Sequence, residues 1–244
     1  MKMIKINRAN CPDILKDSPS EGTHYNKKQV VKALWNMQHK KCCYCEQKIP
    51  EEGHLKAVEH FCPKATFSYL KNDWKNLLLA CAQCNGRKAS EFPVKLSSNS
   101  NKPKVLYLKI ASDGNPLIID PSNPNIDPEE HIDFIVDDRD TKYGCTIAKN
   151  NSYLGMTTIK AIGLNRRYYT DERKFFYRKM LLVYYQMLID AEGEKDEMLL
   201  QTYKDKFKLL LSARGKFSAL ARTFARHKRL DKRFGISILV GAET

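Results

Sequence analysis

Residues 41–50 read KCCYCEQKIP and residues 79–88 read LACAQCNGRK, and the cysteines in these two stretches decide the fold. Each stretch contains a C-x-x-C pair, with 35 residues between the pairs: Cys42 and Cys45, then Cys81 and Cys84. A C-x-x-C turn places two thiolates on one side of the chain, and two such turns complete a tetrahedral shell of sulfur ligands. The spacing therefore predicts a structural zinc site, because a closed four-sulfur shell leaves no position for substrate.

Other uses of these cysteines remain open, namely a redox-active C-x-x-C or buried free thiols. Two matched pairs favour a shared metal over either. Cys43 is a rival to the first ligand, but Cys43-x-Cys45 has the poorer spacing. The other cysteines are interpreted as ordinary small buried side chains: Cys11, Cys62 and Cys145.

The segment between the two pairs contains VEHFCPK, residues 58–64. The pattern predicts a first strand over residues 57–61, broken by Pro63, and a second strand over residues 77–80. CAQCNGRK then predicts a short helix that begins between the second pair of cysteines. Two strands and one helix are too small to fold well alone, which gives a metal cross-link a structural purpose.

The polar residues of this unit appear in a specific order. Glu59 and His60 end the first predicted strand, Asn76 precedes the second, and Asn85 follows Cys84 on the helix. In this order and spacing the chain resembles the HNH nucleases of the ββα-metal class. The resemblance implies that His60 is the general base, that Glu59 and Asn85 hold a divalent metal ion, and that Asn76 braces the loop carrying His60.

The site departs from the name-giving pattern at two positions, with Glu59 in place of the commoner Asp and Asn85 in place of His. Both residues offer oxygen ligands, which suit Mg²⁺ with Mn²⁺ as a substitute. An imidazole with a pKa near 7 suits removal of a proton from water. The resemblance implies products with 5′-phosphate and 3′-hydroxyl ends. The flanking cations would contact phosphates or remain solvated charges: Lys64, Arg87 and Lys88.

Charge is consistent with a polyanionic partner. Lys and Arg outnumber Asp and Glu by 42 to 28, giving a formal net charge of +14. Lys and Arg displace the counterions condensed on nucleic-acid phosphates, although a basic surface can also serve solubility alone. No apolar run approaches the ~20 residues needed to cross a bilayer. We therefore expect a soluble, cytoplasmic protein with no membrane partner.

The wider pattern predicts an α+β chain, in which a zinc-stabilised ββα-metal nuclease core is embedded in a mainly α-helical chain with a helical C-terminal half. Four regions are expected: a helical lead-in (1–40), the nuclease core (41–96), an acidic connector of loops and short strands (97–152) and a basic helical region (153–244). In the connector, a loop is predicted over residues 97–103 and strands over residues 117–119 and 131–136.

The last region is expected to form three long helices. The first runs from a Thr170/Asp171 capping signal to near Gly193, the second covers residues 195–214 and the third residues 216–235. Their interleaved Lys and Arg residues form either a nucleic-acid-binding face or a solvated surface.

Segments outside the core carry a narrower resemblance. MIKINRA, CCYCEQKI, EHFCPK, NLLLACAQCN, IDPSNPNIDPEEHIDF and AIGLN together look like the HNH subunit of Septu-type anti-phage systems, which is also found with retrons. This resemblance implies a role in bacterial defence and an ABC-type ATPase subunit as partner, with the helical C-terminal half as the docking surface.

The substrate remains open at this stage. DNA is the preferred expectation, but an RNA nuclease, including one that cuts transfer RNA, would need the same core residues. A third alternative is a zinc-stabilised nucleic-acid-binding or assembly module with an inactive site.

Overall fold

The computed structural model describes residues 5–16, 22–53, 55–95, 106–107 and 115–238. The loop predicted over residues 97–103 lies outside these ranges. The described helices are α1 (Asp13–Lys16), α2 (Lys28–Met37), α3 (Ala82–Lys88), α4 (Pro128–His131), α5 (Tyr153–Ile162), α6 (Arg167–Phe176), α7 (Leu182–Glu194), α8 (Glu197–Leu211), α9 (Ser218–His227) and α10 (Leu230–Phe234). The described strands are β1 (Lys56–His60), β2 (Leu77–Cys81), β3 (Pro93–Lys95), β4 (Leu106–Tyr107), β5 (Asn115–Pro116), β6 (Ile132–Phe134) and β7 (Thr146–Ala148).

The centre of the fold is the two-strand, one-helix unit predicted between the cysteine pairs. Strands β1 and β2 pair antiparallel, with Glu59 opposite Leu78 and His60 opposite Leu77. Strand β2 reads LLLAC, and its four apolar residues before Cys81 are fully buried. Helix α3 begins immediately after β2 and packs against both strands. The α+β class and the core's three elements are therefore as predicted, with strand boundaries displaced by one residue.

Helix α2 covers β2 and is fixed to it by a buried glutamine. The Gln38 side chain accepts a hydrogen bond from Leu79 N at 2.7 Å and donates one to Leu79 O at 2.7 Å. It also donates to Lys41 O at 3.0 Å, just before the first cysteine pair. One amide therefore satisfies buried backbone groups on β2 and sets the entry to the first C-x-x-C turn.

The connector differs from its prediction at residues 117–119, which are buried but form no strand. The backbone N–H of Leu117 donates to Pro93 O at 2.8 Å, and that of Ile119 donates to the Thr158 hydroxyl at 2.9 Å. These donors are satisfied by different partners, so no ladder forms with one neighbouring strand. The second predicted strand, over residues 131–136, is observed in shortened form as β6, which pairs with β7.

The C-terminal half is helical, as predicted, with two changes in its boundaries. Helix α6, the π-helical turn Tyr177–Leu181 and α7 follow without a break, but α6 begins at Arg167 rather than at the predicted Thr170/Asp171 cap. Thr170 instead bonds the Arg167 carbonyl through its hydroxyl at 2.8 Å, as a residue within the helix. The third predicted helix is divided into α9 and α10 at Arg229, which has a φ of 52°. Among the helices of the described ranges, none is long and apolar enough to cross a membrane.

A buried ion pair joins the first cysteine turn to helix α9. Lys41 and Glu46 are both buried and lie 3.3 Å apart. The Glu46 carboxylate accepts hydrogen bonds from the Ser218 hydroxyl at 3.0 Å and the Ala219 N–H at 3.1 Å, in the first turn of α9. A carboxylate is favourable there because it accepts from unpaired N–H groups at the positive end of the helix dipole. The C-terminal helices are thus packed directly on the first cysteine turn.

Candidate active site and metal centre

Four thiols meet where the two C-x-x-C turns converge. The Sγ atoms of Cys42, Cys45, Cys81 and Cys84, here called the cysteine cluster, all lie within 4.8 Å of one another. A tetrahedral zinc ion with Zn–S bonds of about 2.3 Å needs sulfurs separated by about 3.8 Å, and the Cys45 and Cys81 sulfurs lie 3.6 Å apart. The cluster is therefore consistent with a structural zinc ion. Cys43, the rival ligand, is buried and lies outside this group.

The thiols differ in protonation behaviour even within the cluster, where burial raises the pKa of Cys45 and Cys84 well above its usual range and only Cys42 shows a strong shift downward. Burial alone would raise the pKa of Cys42, but hydrogen bonds from neighbouring cysteine thiols outweigh it and hold this pKa well below its usual range. Burial raises the pKa of the Cys62 thiol to about 11, so that thiol stays protonated at neutral pH. Cys42 is thus suited to become the thiolate that a metal requires, whereas Cys62 behaves as a neutral, half-buried side chain.

The second cysteine turn is contacted by a tyrosine from helix α6. The Tyr169 hydroxyl lies 3.3 Å from the Cys81 sulfur and 3.2 Å from the Cys84 sulfur. The Arg166 guanidinium donates to the Tyr169 hydroxyl at 3.2 Å and to Gln83 O at 3.1 Å. Tyr169 therefore hydrogen-bonds two sulfurs of the cysteine cluster, and contacts of this kind orient the ligands of a metal ion.

His60 ends β1 with its ring held in one orientation. Its Nε2 lies 2.9 Å from Lys71 O. A carbonyl oxygen can only accept, so Nε2 must carry the proton and the neutral ring keeps Nδ1 as its basic nitrogen. Burial lowers the pKa of His60, although the Lys71 carbonyl opposes this effect. The imidazole is therefore neutral near pH 7 and able to accept a proton, as a general base requires.

Asn76 ties together the loop between β1 and β2. Its Oδ1 accepts from Cys62 N at 2.7 Å, and its Nδ2 donates to Cys62 O at 3.0 Å and Leu70 O at 3.2 Å. These bonds join the two ends of the loop beside Lys71, whose carbonyl orients His60. The geometry suits the bracing role that the sequence predicts for Asn76.

Glu59 is nearly fully buried and faces α3, where its carboxylate meets a lysine. Its Oε1 lies 2.6 Å from the Lys88 ammonium and accepts from the Tyr44 hydroxyl at 3.3 Å. Lys88 also donates to His60 O at 2.9 Å. Burial raises the pKa of Glu59 to about 7, with Lys88 opposing the rise. Lys88 therefore supplies a positive charge that favours the ionised form of this buried carboxylate and limits the rise in its pKa.

Glu59, His60 and Asn85 line one cavity of about 230 Å³. The contacts of Glu59 described above use Oε1, and a carboxylate has a second oxygen with which to hold a cation. The Asn85 amide adds another oxygen on the same cavity. This oxygen donor set beside an imidazole fits Mg²⁺ or Mn²⁺ better than a soft metal. The individual ligand and catalytic roles remain predictions.

The three flanking cations occupy different environments. Lys64 is exposed and lines the cavity. Arg87 is exposed and pairs with Glu91 at 2.9 Å, and it is not among the described residues that line the cavity. Lys88 departs from the expected solvated position, because it is fully buried against Glu59. In this arrangement Lys88 holds the protein's own carboxylate and has no exposed surface to offer a phosphate.

Three further residues complete the site, and the sequence did not single them out: Tyr25, Tyr44 and Asn72. Tyr25 contacts the His60 ring edge-on, with ring centroids 4.6 Å apart. Asn72 accepts hydrogen bonds from His24 N at 3.0 Å and Tyr25 N at 3.1 Å. Tyr44, inside the first C-x-x-C turn, donates a hydrogen bond from its hydroxyl to Glu59. Only the Tyr44 contact had a signal in the sequence, namely an aromatic residue inside a C-x-x-C turn.

Comparison with known proteins agrees with this geometry. Residues 42–91 match the family described as HNH endonuclease. Septu protein PtuB of Bacillus thuringiensis is 28% identical over 227 residues, covering 89% of this chain and 71% of that protein. Septu protein PtuB of Bacillus mycoides strain KBAB4 is 31% identical over 172 residues, covering 65% of this chain and 54% of that protein. The chain thus spans about half the length of the second relative.

Proposed function

Residues 42–91 are an HNH endonuclease domain in a chain homologous to Septu protein PtuB, and from this premise we propose a metal-dependent endonuclease that cuts DNA. The domain implies hydrolysis of phosphodiester bonds. One observation supports activity above all: the Nε2 of His60 is held by Lys71 O, so Nδ1 remains basic in a ring that lines a cavity with Glu59 and Asn85.

In the proposed reaction, Nδ1 of His60 takes the proton from the attacking water. Lys71 O and the Asn76 bonds keep the ring in that orientation while the proton moves. Glu59 and Asn85 would hold Mg²⁺ or Mn²⁺, which when bound stabilises negative charge on the phosphate and on the departing oxygen. The cysteine cluster would hold Zn²⁺ for structure alone, since its four thiolates leave no open position.

The choice of DNA and of a partner draws on features outside the cavity. A net charge of +14 favours a polyanionic substrate without distinguishing DNA from RNA. The names of both relatives and the resemblance of the whole chain to the HNH subunit of Septu-type systems support a defence role in the cytoplasm. On the same grounds we propose that an ABC-type ATPase binds the helical C-terminal half and that the two act as one complex.

The test is a cleavage assay with purified protein, alone and with the neighbouring ATPase. Plasmid DNA and total RNA are incubated separately with Mg²⁺, with Mn²⁺ and with a chelator. His60→Ala removes the proposed base. His227→Ala, at an exposed position on α9, is the matched control in the assays without the ATPase. Circular dichroism and zinc content confirm that each variant is folded.

Metal-dependent cleavage of DNA that is lost in His60→Ala and kept in His227→Ala is the expected result. Cleavage of RNA alone would keep the chemistry and replace the substrate. If zinc-loaded, folded protein cuts neither polymer under any condition, the chain is a nucleic-acid-binding or assembly module and the proposed activity is wrong.

A further inference from the structure

The segment before α2 is fastened to the loop that orients His60. Asn72 is buried, and besides accepting from the backbone of His24 and Tyr25 it donates to Gly22 O at 3.4 Å. Asn72 directly follows Lys71, whose carbonyl binds the His60 ring. One short stretch of the loop therefore positions both the imidazole of His60 and the backbone of Tyr25.

Tyr25 and Lys64 form a polar pair at the edge of the His60 cavity. The Lys64 ammonium donates to the Tyr25 hydroxyl at 2.5 Å and lies 4.6 Å from the centre of the Tyr25 ring. The same ring also contacts the imidazole of His60. Because Lys64 is exposed, its positive charge is presented to solvent beside the proposed base.

A second cavity lies beside strand β1, next to the cavity lined by His60. It has a volume of about 330 Å³ and shares Val58 with the His60 cavity. Its lining includes Tyr25, Asn26 and Lys56. Among the described residues that line it, none is acidic. This cavity has an aromatic ring, an amide and Lys56 in its lining, and Lys64 is bonded to the hydroxyl of that ring. Aromatic, amide and cationic groups of this kind accommodate the backbone and bases of a nucleic acid.

We propose that the second cavity holds the nucleoside next to the scissile phosphate, with Tyr25 against that nucleoside and Lys64 on a neighbouring phosphate. This inference rests on the proposed nuclease function and extends it, because it assigns substrate contacts to a segment outside residues 42–91. The polynucleotide would then run along β1, from Asn85 and His60 towards Tyr25 and Lys56. Because the Tyr25 ring packs against His60, a nucleoside bound in the second cavity would also affect the orientation of the proposed base.

Binding is measured with a short fluorescent DNA duplex and its single strands, by anisotropy, with Ca²⁺ replacing Mg²⁺ to prevent cleavage. The same labelled strands in RNA form a second arm. Tyr25→Ala removes the ring, Tyr25→Phe removes only the hydroxyl, and Lys64→Gln removes the charge. Tyr153→Ala and Lys142→Gln are matched controls, since both residues are exposed and lie outside the two cavities.

Tyr25→Ala is expected to weaken binding about tenfold or more, as for loss of a stacking platform. Tyr25→Phe should retain most of the affinity. Lys64→Gln should weaken binding and reduce the salt slope by about one between roughly 50 and 200 mM salt. In cleavage assays with Mg²⁺ the effect of Lys64→Gln should appear mainly in KM, whereas Tyr25→Ala also removes a contact of His60 and should change both KM and kcat.

If folded Tyr25→Ala and Lys64→Gln bind nucleic acid like wild type, the second cavity does not bind the substrate. If His60→Ala still abolishes cleavage in that case, the nuclease proposal stands. If the wild type neither binds nor cuts any of these polymers, the nuclease proposal fails and this inference fails with it. Equal losses of affinity in Tyr153→Ala and Lys142→Gln would also overturn the inference, because the loss would then not be specific to the second cavity.

Discussion

The ammonium of Lys88 lies 2.6 Å from the carboxylate of Glu59, and neither side chain is more than 2% exposed. Removing one member of such a pair leaves an uncompensated buried charge. We expect Lys88→Met to lower the free energy of unfolding by about 3–5 kcal/mol, measured by urea denaturation. Lys160→Met, at an exposed position on α5, is the control and should change stability by less than about 0.5 kcal/mol.

The double variant Glu59→Gln/Lys88→Met separates charge from packing in this pair. Because both charges are removed together, it should be more stable than Lys88→Met alone. A double variant as unstable as the sum of the single variants would contradict the assignment of a charge pair.

Tyr169→Phe tests the hydroxyl that contacts the Cys81 and Cys84 sulfurs. Outer-shell partners of metal ligands typically contribute about 10- to 100-fold in metal affinity, so zinc should bind more weakly by about that factor. Competition with a chromophoric chelator measures the change. Tyr168→Phe is the matched control, because Tyr168 precedes Tyr169 in the chain and its side chain is half exposed. Equal zinc affinities in the two variants would show that the Tyr169 hydroxyl does not support the ligands.

Asn76→Ala removes three hydrogen bonds that close the loop before β2. Leaving the half-buried backbone groups of Cys62 and Leu70 without these partners should cost about 1–3 kcal/mol of stability, visible in a thermal or urea melt. Cleavage should fall further than this destabilisation explains, since Lys71 O then loses its fixed position against His60. The exposed Asn125→Ala should leave both properties unchanged. A stable but equally active Asn76→Ala protein would exclude the bracing role.

Two glycines give opposite predictions for the same substitution. A Cβ at Gly155 on α5 would lie 2.1 Å from His131 O, so Gly155→Ala forces a backbone shift and should cost about 2–3 kcal/mol. A Cβ at Gly193 near the end of α7 meets nothing within 4 Å. Gly193→Ala should therefore be neutral or stabilising by about 0.5 kcal/mol. Unfolding curves of the two variants check both signs, and a tolerated Gly155→Ala would contradict the packing of α5 on α4.

The sequence was sufficient for those parts of the site whose chemistry is local. C-x-x-C spacing identifies the cysteine cluster, and the alternation of apolar residues with turn signals places β1, β2 and α3 around Glu59 and His60. Each cysteine turn, strand and helix here is set by residues close together in the chain, which restrict one another's backbone conformation directly.

The other contacts depend on residues far apart in the chain. Nothing in the spacing of Tyr25 or Tyr169 shows that one reaches His60 and the other reaches the cysteine sulfurs. Lys88 illustrates the same limit, because its position beside the motif predicts a charge near the site but not its burial. Residues 117–119 have the composition of a strand, yet their backbone donors find unrelated partners.

The C-terminal helices contact both cysteine turns, α9 through Glu46 and α6 through Tyr169. A fragment of residues 41–96 would therefore leave the Glu46 carboxylate without its hydrogen bonds to α9. The Cys81 and Cys84 sulfurs would lose their contact with the Tyr169 hydroxyl. The nuclease centre is consequently a poor cassette for transplantation into another scaffold. A shortened nuclease derived from this chain therefore needs to include α6 and α9 as well as the nuclease core.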